Sequence, residues 1–218
     1  MRVPLFIEFS GRNVLVIGGG GVGTRRAIKF LLAGANVRIL SLEFSNELIH
    51  YAEQRKIELV RGDVNDEGLL RKNIEWADLV VIATNDPAIN GRIREVARDL
   101  RKPFNDATNA EETEVVVPFE SEINGIRIAV TTEGLSGIVA RRTLDKIMNF
   151  LREDEELMNM ARVWYAVKSR LKETVSDVRT RLSLYMELDN DEKFNELARK
   201  GLVNEALNYV MSKVSSRN

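Results

Sequence analysis

Short apolar runs alternate with amphipathic stretches through the first half of the chain. The runs are rich in valine and isoleucine, as buried strands are, and the stretches between them repeat apolar residues at helical spacing. Strands that alternate with helices indicate a parallel sheet with right-handed crossovers. The predicted strands are residues 13–17, 36–40, 58–60, 78–84 and a short one around Phe104, and the predicted helices are residues 24–33, 47–54 and 90–100.

The pattern changes at about Thr113. Residues 114–118 and 126–131 are apolar runs with no helix between them, and the Asn124-Gly125 pair in the intervening loop is typical of a hairpin turn. A second folding region that contains a β-hairpin is therefore expected to begin here.

The last third of the chain predicts helices. Residues 141–200 contain neither proline nor glycine, and apolar residues recur every three or four positions between Leu157 and Tyr185. This spacing predicts one long amphipathic helix or a pair of them, whose apolar face is more typical of packing than of a ligand surface. Shorter helices are expected on either side of Gly201, the second one capped by Asn204.

Together these patterns predict an α/β protein in three parts. A Rossmann-type parallel sheet is expected in residues 1–112, followed by a small α+β segment with the hairpin in residues 113–148. An all-helical C-terminal domain is expected in residues 149–218.

Composition narrows the chemistry that this fold can carry. The chain has no cysteine and one histidine, which excludes disulfides, thiolate nucleophiles, iron–sulfur clusters and multi-histidine metal centres. We therefore expect no resident metal site, and acid–base chemistry falls mainly on carboxylates. The net charge of -1 gives no general attraction to nucleic acid, and no apolar run reaches the ~18 residues of a membrane span. We expect a soluble, cytoplasmic protein without nucleic-acid or membrane partners.

A glycine-rich turn lies between the first predicted strand and the first predicted helix. The run from Gly18 to Gly23 satisfies G-x-G-x-x-G in the context that the dinucleotide-binding fingerprint requires. Glycines let the backbone approach a pyrophosphate, and the positive end of the following helix attracts the anion. The cofactor-binding candidates in this turn are Gly18, Gly20, Gly21 and Val22.

Two later positions extend the candidate cofactor site. Glu43 lies 20 residues after Gly23, the separation expected of a carboxylate on the adenosine ribose, although it can equally be a solvated loop residue. No Lys or Arg occurs in residues 40–49, which favours NAD over NADP. Thr84 and Asn85 follow a strand at the carboxyl edge of the sheet, and their segment either contacts the ligand, caps the next helix or does both.

Several motifs, in order along the chain, resemble the precorrin-2 dehydrogenase and sirohydrochlorin ferrochelatase family, of the siroheme synthase N-terminal type. The resemblance covers nearly the whole chain and is far more specific than the glycine turn alone. The matching segments are Pro4-Leu5-Phe6, Gly11-Arg12, the Gly18 to Gly23 turn, Ala33-Gly34-Ala35, ATNDPAIN at residues 83–90, Asn105, Pro118 and IAVTTEGLSGIVARR at residues 128–142.

The resemblance implies NAD-dependent oxidation of precorrin-2 to sirohydrochlorin, with Fe(II) as a transient substrate for insertion in bifunctional members. It also implies a homodimer in which the middle segment and the helical tail build the interface and the substrate cleft. The family's cofactor contacts correspond here to Gly20, Gly21, Val22, Leu42 and Glu43.

The resemblance departs at the catalytic position. The family's proposed catalytic aspartate ends a V-N-V-V-D stretch that here reads FNDAT, so that Thr108 stands in its register and Asp106 lies two residues earlier. Two residues along an extended segment share a face at a displacement of ~7 Å, so we predict Asp106 as the general base. Asp106 can instead be a turn aspartate that bonds nearby amides, and the alternative bases are Glu111, Glu112 and Glu114.

Further candidates for substrate binding follow in the second matched run. The family's active-site serine corresponds to Thr131, and Thr108 and Thr131 both offer a hydroxyl to the substrate. Ser136 either meets a substrate carboxylate or caps the helix predicted to start near residue 138. Arg141 and Arg142, like Arg25 and Arg26, can pair with the carboxylates of a tetrapyrrole or lie on a solvated helix face.

The competing interpretation is an NAD-sensing regulatory module related to potassium-transport regulators. Such modules carry an acidic residue directly at the end of the second strand, where this chain has Leu40-Ser41. They also continue into a β-rich ligand domain, whereas the helical pattern continues here. Both features favour the enzyme.

Overall fold

A computed structural model describes residues 2–215. Contacts between residues divide the chain into two compact units: residues 2–117 with 133–135, and residues 118–132 with 136–215. The three-part division expected from the sequence stays a prediction. None of the helices in residues 2–215 has the length and apolar character needed to cross a bilayer.

The first unit is built on a five-stranded parallel sheet, which confirms the predicted fold class. The strand order is β3-β2-β1-β4-β5. Residues 14–17 of the central strand are fully buried, as expected of a strand that is covered on both faces. The strands are β1 (Asn13–Ile17), β2 (Asn36–Ser41), β3 (Glu58–Arg61), β4 (Leu79–Ile82) and β5 (Phe104–Asp106).

Four helices cover the two faces of this sheet. Ala27 and Phe30 of the first helix and Leu48 of the second pack on one face, whereas Leu70 of the third and Ile93 of the fourth pack on the other. The helix α3 was not among the predicted helices, although Asp66, its N-cap, is a typical start signal in the sequence. The helices are α1 (Gly21–Leu32), α2 (Asn46–Glu53), α3 (Glu67–Trp76) and α4 (Pro87–Asp99).

The prediction of a strand at residues 114–118 is wrong. Val115 and Val117 pack against the hydrophobic core beside β1 and α1, which explains the apolar run. The backbone N–H groups of Glu114 and Val115 both donate to the carbonyl of Phe104. Because two donors share one acceptor, the segment covers the core without forming a strand ladder.

The second unit begins with a β-hairpin and a long helix. The strands β6 (Phe119–Ile123) and β7 (Ile126–Val130) are antiparallel. Asn124 and Gly125 join them with positive φ angles of 48° and 82°, as a type I′ turn requires. The next helix, α5 (Gly137–Glu153), packs the apolar side chains of one face against this hairpin.

Four further helices complete the second unit, so the periodic segment is a pair of helices and not one. No glycine or proline separates α6 and α7: Asp177 caps α7, and the Arg181 guanidinium donates to the carbonyls of Val175 (2.5 Å) and Ser176 (2.8 Å). Side chains therefore satisfy the helix ends at the break. The helices are α6 (Glu155–Thr174), α7 (Val178–Asp189), α8 (Glu192–Arg199) and α9 (Val203–Ser215).

The prediction that Asn204 caps the last helix is wrong. The helix begins one residue earlier, at Val203, so Asn204 lies in its first turn. Its position shows the limit of cap signals, because a polar residue in the first turn resembles a cap in sequence.

A polar cluster joins α8 to α9. The Asp191 carboxylate accepts hydrogen bonds from the Tyr209 hydroxyl (2.7 Å) and the Phe194 N–H (3.0 Å) and pairs with Lys213 Nζ (2.9 Å). Partial burial alone would raise the pKa of Asp191, but the bonds from Lys213, the Phe194 N–H and Tyr209 outweigh it and lower that pKa to about 2. The same bond to Asp191 raises the pKa of Lys213.

We predict that this cluster stabilises the second unit at neutral pH and that this stabilisation decreases at acidic pH. A carboxylate with a depressed pKa contributes stability above its unfolded pKa of about 3.9, and the contribution is lost as the pH falls toward 2. Asp191→Asn keeps the capping oxygen and should lower the free energy of unfolding by about 1 kcal/mol at pH 6. The difference from the parent should become smaller as the pH falls from about 4 toward 2.

The measurement is urea unfolding followed by Trp164 fluorescence in a Trp76→Phe background, because the chain has two tryptophans and each unit holds one. Asp154→Asn, at the cap of α6, is the matched control, because Asp154 takes no part in this cluster. A difference between Asp191→Asn and the parent that stays constant from pH 6 to pH 2 would contradict the prediction.

Candidate active site

The carboxyl ends of β1, β2 and β4 surround a cavity of about 530 Å³ in the first unit. Its volume is in the range of small-molecule sites. It lies beside the point where the strand order reverses, which is where open parallel sheets bind ligands. The lining residues fall on four segments: residues 17–25 around the glycine turn, 40–42 after β2, 62–65 after β3, and 83–89 after β4.

Three glycines of the turn are required by the protein's own packing. A Cβ on Gly18 would come within 3.0 Å of the Ala83 carbonyl oxygen, and one on Gly19 would come within 3.0 Å of the Glu43 carbonyl oxygen. A Cβ on Gly23 would collide with the carbonyl oxygen of Gly18. These glycines let the turn pack directly against the ends of β2 and β4.

The other two glycines of the turn, Gly20 and Gly21, have free space where a side chain would begin. A Cβ on Gly20 would meet no heavy atom within 4 Å, and one on Gly21 would meet only Arg25 Nη1, at 3.5 Å. Both residues line the cavity. The protein's own packing therefore does not require glycine at these two positions, and they leave room for a ligand to approach the backbone.

The N-terminus of α1 is left uncapped. Gly20 occupies the N-cap position without a side-chain hydrogen bond, and the first turn holds no acidic residue. The N–H groups and the positive end of this helix are thus available to an anion at the cavity. In contrast, α2 to α8 are capped by the side chains of Ser45, Asp66, Asp86, Ser136, Asp154, Asp177 and Asp191.

Most of the predicted cofactor residues meet at this cavity. Glu43 differs from the others, because its side chain is exposed and does not line the cavity, although its carbonyl packs on Gly19. The predicted residues that line the cavity are Gly18, Gly20, Gly21, Val22, Leu42, Thr84 and Asn85.

The loop after β3 is a wall of the cavity that was not predicted from the sequence. The Asp63 carboxylate accepts the N–H of Asn65 (2.8 Å), and Arg92 on α4 donates to the side chain (3.2 Å) and the carbonyl (3.1 Å) of Asn65. These bonds fix the loop. The available signal was its position directly after a strand, at the same edge as the glycine turn.

The segment after β4 caps the next helix and also lines the cavity. The Asp86 carboxylate caps α4 by accepting the N–H groups of Ala88 (2.8 Å) and Ile89 (3.2 Å). Thr84 and Asn85 line the cavity. One short turn thus starts a helix and forms part of the cavity wall.

Asp106 adopts the turn geometry that was one of its two interpretations. Its Oδ1 accepts the N–H groups of Thr108 (2.8 Å) and Asn109 (3.1 Å) and the Thr108 hydroxyl (2.7 Å), and its Oδ2 pairs with Arg94 (2.5 Å). The carboxylate side chain is 0% exposed, whereas Thr108 is exposed. Asp106 therefore lies directly behind Thr108 and not at the surface.

The loop that follows Asp106 is held at several points. Arg94 also pairs with Glu112, whose side chain is 51% exposed. The Arg2 guanidinium donates to the carbonyls of Ala110 (2.7 Å) and Thr113 (2.8 Å). The candidate bases thus lie on a loop that has a defined conformation.

The substrate candidates of the second unit are placed at and after the hairpin. Thr131 follows β7 and is exposed, and the Ser136 hydroxyl caps α5 by accepting the Val139 N–H (3.3 Å). Arg141 and Arg152 line a groove of about 480 Å³ between β6 and α5. Of the two roles open to Ser136, the structure shows the capping one.

The two arginines that follow the glycine turn differ in surroundings. Arg25 lines the cavity, whereas Arg26 is half-buried, and its pKa is lowered by burial and by the charge of Arg25. In residues 2–215 no group of three or more His, Asp or Glu side chains is arranged to hold a metal ion.

Comparison with known proteins agrees with this geometry. Residues 5–119 match the protein family described as "Putative NAD(P)-binding". Over 203 residues the chain is 34% identical to the "Putative precorrin-2 dehydrogenase" of Methanocaldococcus jannaschii. The aligned region covers 91% of this chain and 95% of that protein.

Two further similarities concern a longer enzyme and a solved fold. The chain is 32% identical to the siroheme synthase of Neisseria meningitidis serogroup C over 78% of this chain, but it spans only 35% of that protein. The structure of SirC, a precorrin-2 dehydrogenase, superposes with a TM-score of 0.73 over 99% of this chain and 100% of that chain, at 22% identity. This match extends the agreement in fold beyond the sheet.

The family match includes the glycine turn and all five strands of the sheet, and the similarity to the archaeal relative extends over nearly the whole length of both proteins. The chain belongs to the precorrin-2 dehydrogenase family.

Proposed function

We propose that the protein oxidises precorrin-2 to sirohydrochlorin with NAD, in siroheme biosynthesis. The observation that carries the proposal is the uncapped start of α1 beside Gly20 and Gly21, in a chain of which 91% aligns with the "Putative precorrin-2 dehydrogenase" of Methanocaldococcus jannaschii. When bound, NAD supplies the hydride acceptor. The protein's own residues bind and orient the two reactants and accept a proton.

The cavity residues fit a dinucleotide. The N–H groups of Gly21 and Val22 at the start of α1 suit the pyrophosphate. Leu42 and Glu43, directly after β2, are the proposed contacts of the adenosine ribose, and of these two residues Leu42 lines the cavity. Thr84 and Asn85 would then lie on the nicotinamide side of the cavity, after β4.

Asp106 is the proposed proton acceptor. Its carboxylate lies at the end of β5, pairs with Arg94 and accepts a hydrogen bond from the hydroxyl of the exposed Thr108. Thr131, Ser136 and Arg141 are the proposed contacts of the substrate, whose carboxylates suit bidentate pairing with arginine. Fe(II) insertion into sirohydrochlorin is a separate activity, which the assay below tests.

The proposed assembly is a homodimer in which the hairpin segment, residues 113–148, and the helical tail form the interface. Its support is the large apolar side chains that the second unit exposes on two helices. They are Ile138, Val139 and Phe150 on α5 and Val178, Leu182 and Met186 on α7. A location in the cytoplasm stays a prediction from the sequence.

The first prediction from the proposed function concerns cofactor binding. Gly20→Asp should weaken NADH binding at least about tenfold, because a carboxylate at the start of α1 would repel the pyrophosphate. Gly68→Asp, in the first turn of α3 and outside the cavity, is the matched control and should bind NADH like the parent. NADH fluorescence titration measures both affinities. Equal NADH affinity in the two variants would contradict the proposal that the pyrophosphate binds at this turn.

The second prediction concerns the reaction. In an anaerobic assay of precorrin-2 with NAD, Asp106→Asn should lower kcat at least about tenfold, since general-base catalysis contributes about 10²–10⁴-fold. Glu112→Gln should stay within about threefold of the parent. The measurement is NADH formation, followed by the spectral change on addition of Fe(II), which reports metal insertion. Full activity in Asp106→Asn together with loss in Glu112→Gln would transfer the role to Glu112.

The third prediction concerns the dimer. Light scattering should give a mass near twice 24.7 kDa for the parent, and the double variant Leu182→Glu, Met186→Glu should shift toward the monomer because charges would enter an apolar interface. Lys172→Glu, an exposed charge change on α6, is the control. A parent that is monomeric at assay concentration would contradict the proposed assembly.

A further inference from the structure

We infer that Thr108 and Asp106 form a two-residue proton relay, in which the Thr108 hydroxyl meets the substrate, Asp106 receives the proton, and Asn90 is a positioning residue. The inference rests on the proposed dehydrogenase function and gives it a proton route.

Asp106 cannot meet a substrate directly. Its carboxylate is buried, and its two oxygens are held by Arg94, by the Thr108 hydroxyl and by two backbone N–H groups. A base enclosed in this way needs an intermediary to exchange a proton with a ligand. Thr108 is exposed, and its hydroxyl lies 2.7 Å from Asp106 Oδ1.

The direction of the hydrogen bonds at Thr108 follows from counting donors and acceptors. A hydroxyl has one hydrogen and two lone pairs. The hydrogen points to Asp106, which is the acceptor, and one lone pair accepts from Asn90 Nδ2 at 3.0 Å. One lone pair remains for a proton donor on a ligand.

The neighbours of the Asn90 side chain determine which of its two polar atoms donates and which accepts. Its Nδ2 lies 3.2 Å from the carbonyl oxygen of Thr84, which can only accept, so this nitrogen must donate. Its Oδ1 accepts the Thr84 hydroxyl at 2.5 Å. Asn90 is 1% exposed, so it does not touch the substrate. It connects Thr84, on the wall of the cofactor cavity, to the hydroxyl of Thr108.

The relay gives an acceptor for the proton that the substrate loses in the oxidation. Precorrin-2 loses one hydride, which passes to NAD, and one proton. The proton bonds to Thr108 Oγ1 while the hydrogen of Thr108 passes to Asp106 Oδ1, so the hydroxyl is regenerated and the carboxylate becomes a carboxylic acid. Arg94 lies between Asp106 and Glu112, so it keeps one anionic partner after the transfer.

The test compares Thr108→Val, which keeps the shape but removes the hydroxyl, with Thr108→Ser, which keeps the hydroxyl. NADH formation from precorrin-2 should fall at least about 30-fold in kcat for Thr108→Val and stay within about threefold for Thr108→Ser. The KM for NAD and the NADH affinity should change less than about twofold in both variants, since Thr108 does not line the cofactor cavity. Unchanged NADH affinity also shows that the variants are folded.

Asn90→Ala tests the positioning residue. It should lower kcat about tenfold, and adding Thr108→Val to it should cause no loss beyond that of Thr108→Val alone, because both changes disable one route. Independent losses that multiply would show that Asn90 acts elsewhere.

A fully active Thr108→Val enzyme would overturn the relay and leave the dehydrogenase proposal standing. A parent protein that binds NADH but forms none from precorrin-2 and NAD would overturn both.

Discussion

The close packing of the glycine turn against the neighbouring strand ends is the constraint on which the site depends. Gly18 lies against the backbone that follows β4, and Gly19 lies against the backbone that follows β2. A side chain at either position would push the strand ends apart. Because these contacts are made by backbone alone, the loops converge around one cavity, and the start of α1 faces it without a cap.

The helix α4 connects this cavity to the chemistry proposed beside it. Asn90 and Arg94 are four residues apart and therefore share a face of the helix. From that face Asn90 bonds Thr84 and Thr108, and Arg94 pairs with Asp106. The cavity wall and the loop after β5 are thus held by one face of the helix.

The fold was largely predictable, because valine-rich strands buried on both faces have a strong sequence pattern. The pattern failed at residues 114–118, where the apolar side chains are explained by contact with the core and not by strand pairing. The break between α6 and α7 carries no glycine or proline, so only the capping by Asp177 marks it. In each case the local sequence pattern indicates burial or capping, whereas the segment against which a residue packs is determined by the tertiary structure.

The sequence by itself determined the parallel sheet and the glycine turn between a strand and a helix, because these depend on residue type and spacing. Only the tertiary structure decided what surrounds them. No cation occurs in residues 40–49, yet Arg61 on β3 donates to the carbonyl of Leu42 at 2.8 Å. Likewise, the ion pair of Arg94 with Asp106 and the two bonds of Asn90 join separate elements. Such contacts arise from parallel strands that share one edge, and no local spacing encodes them.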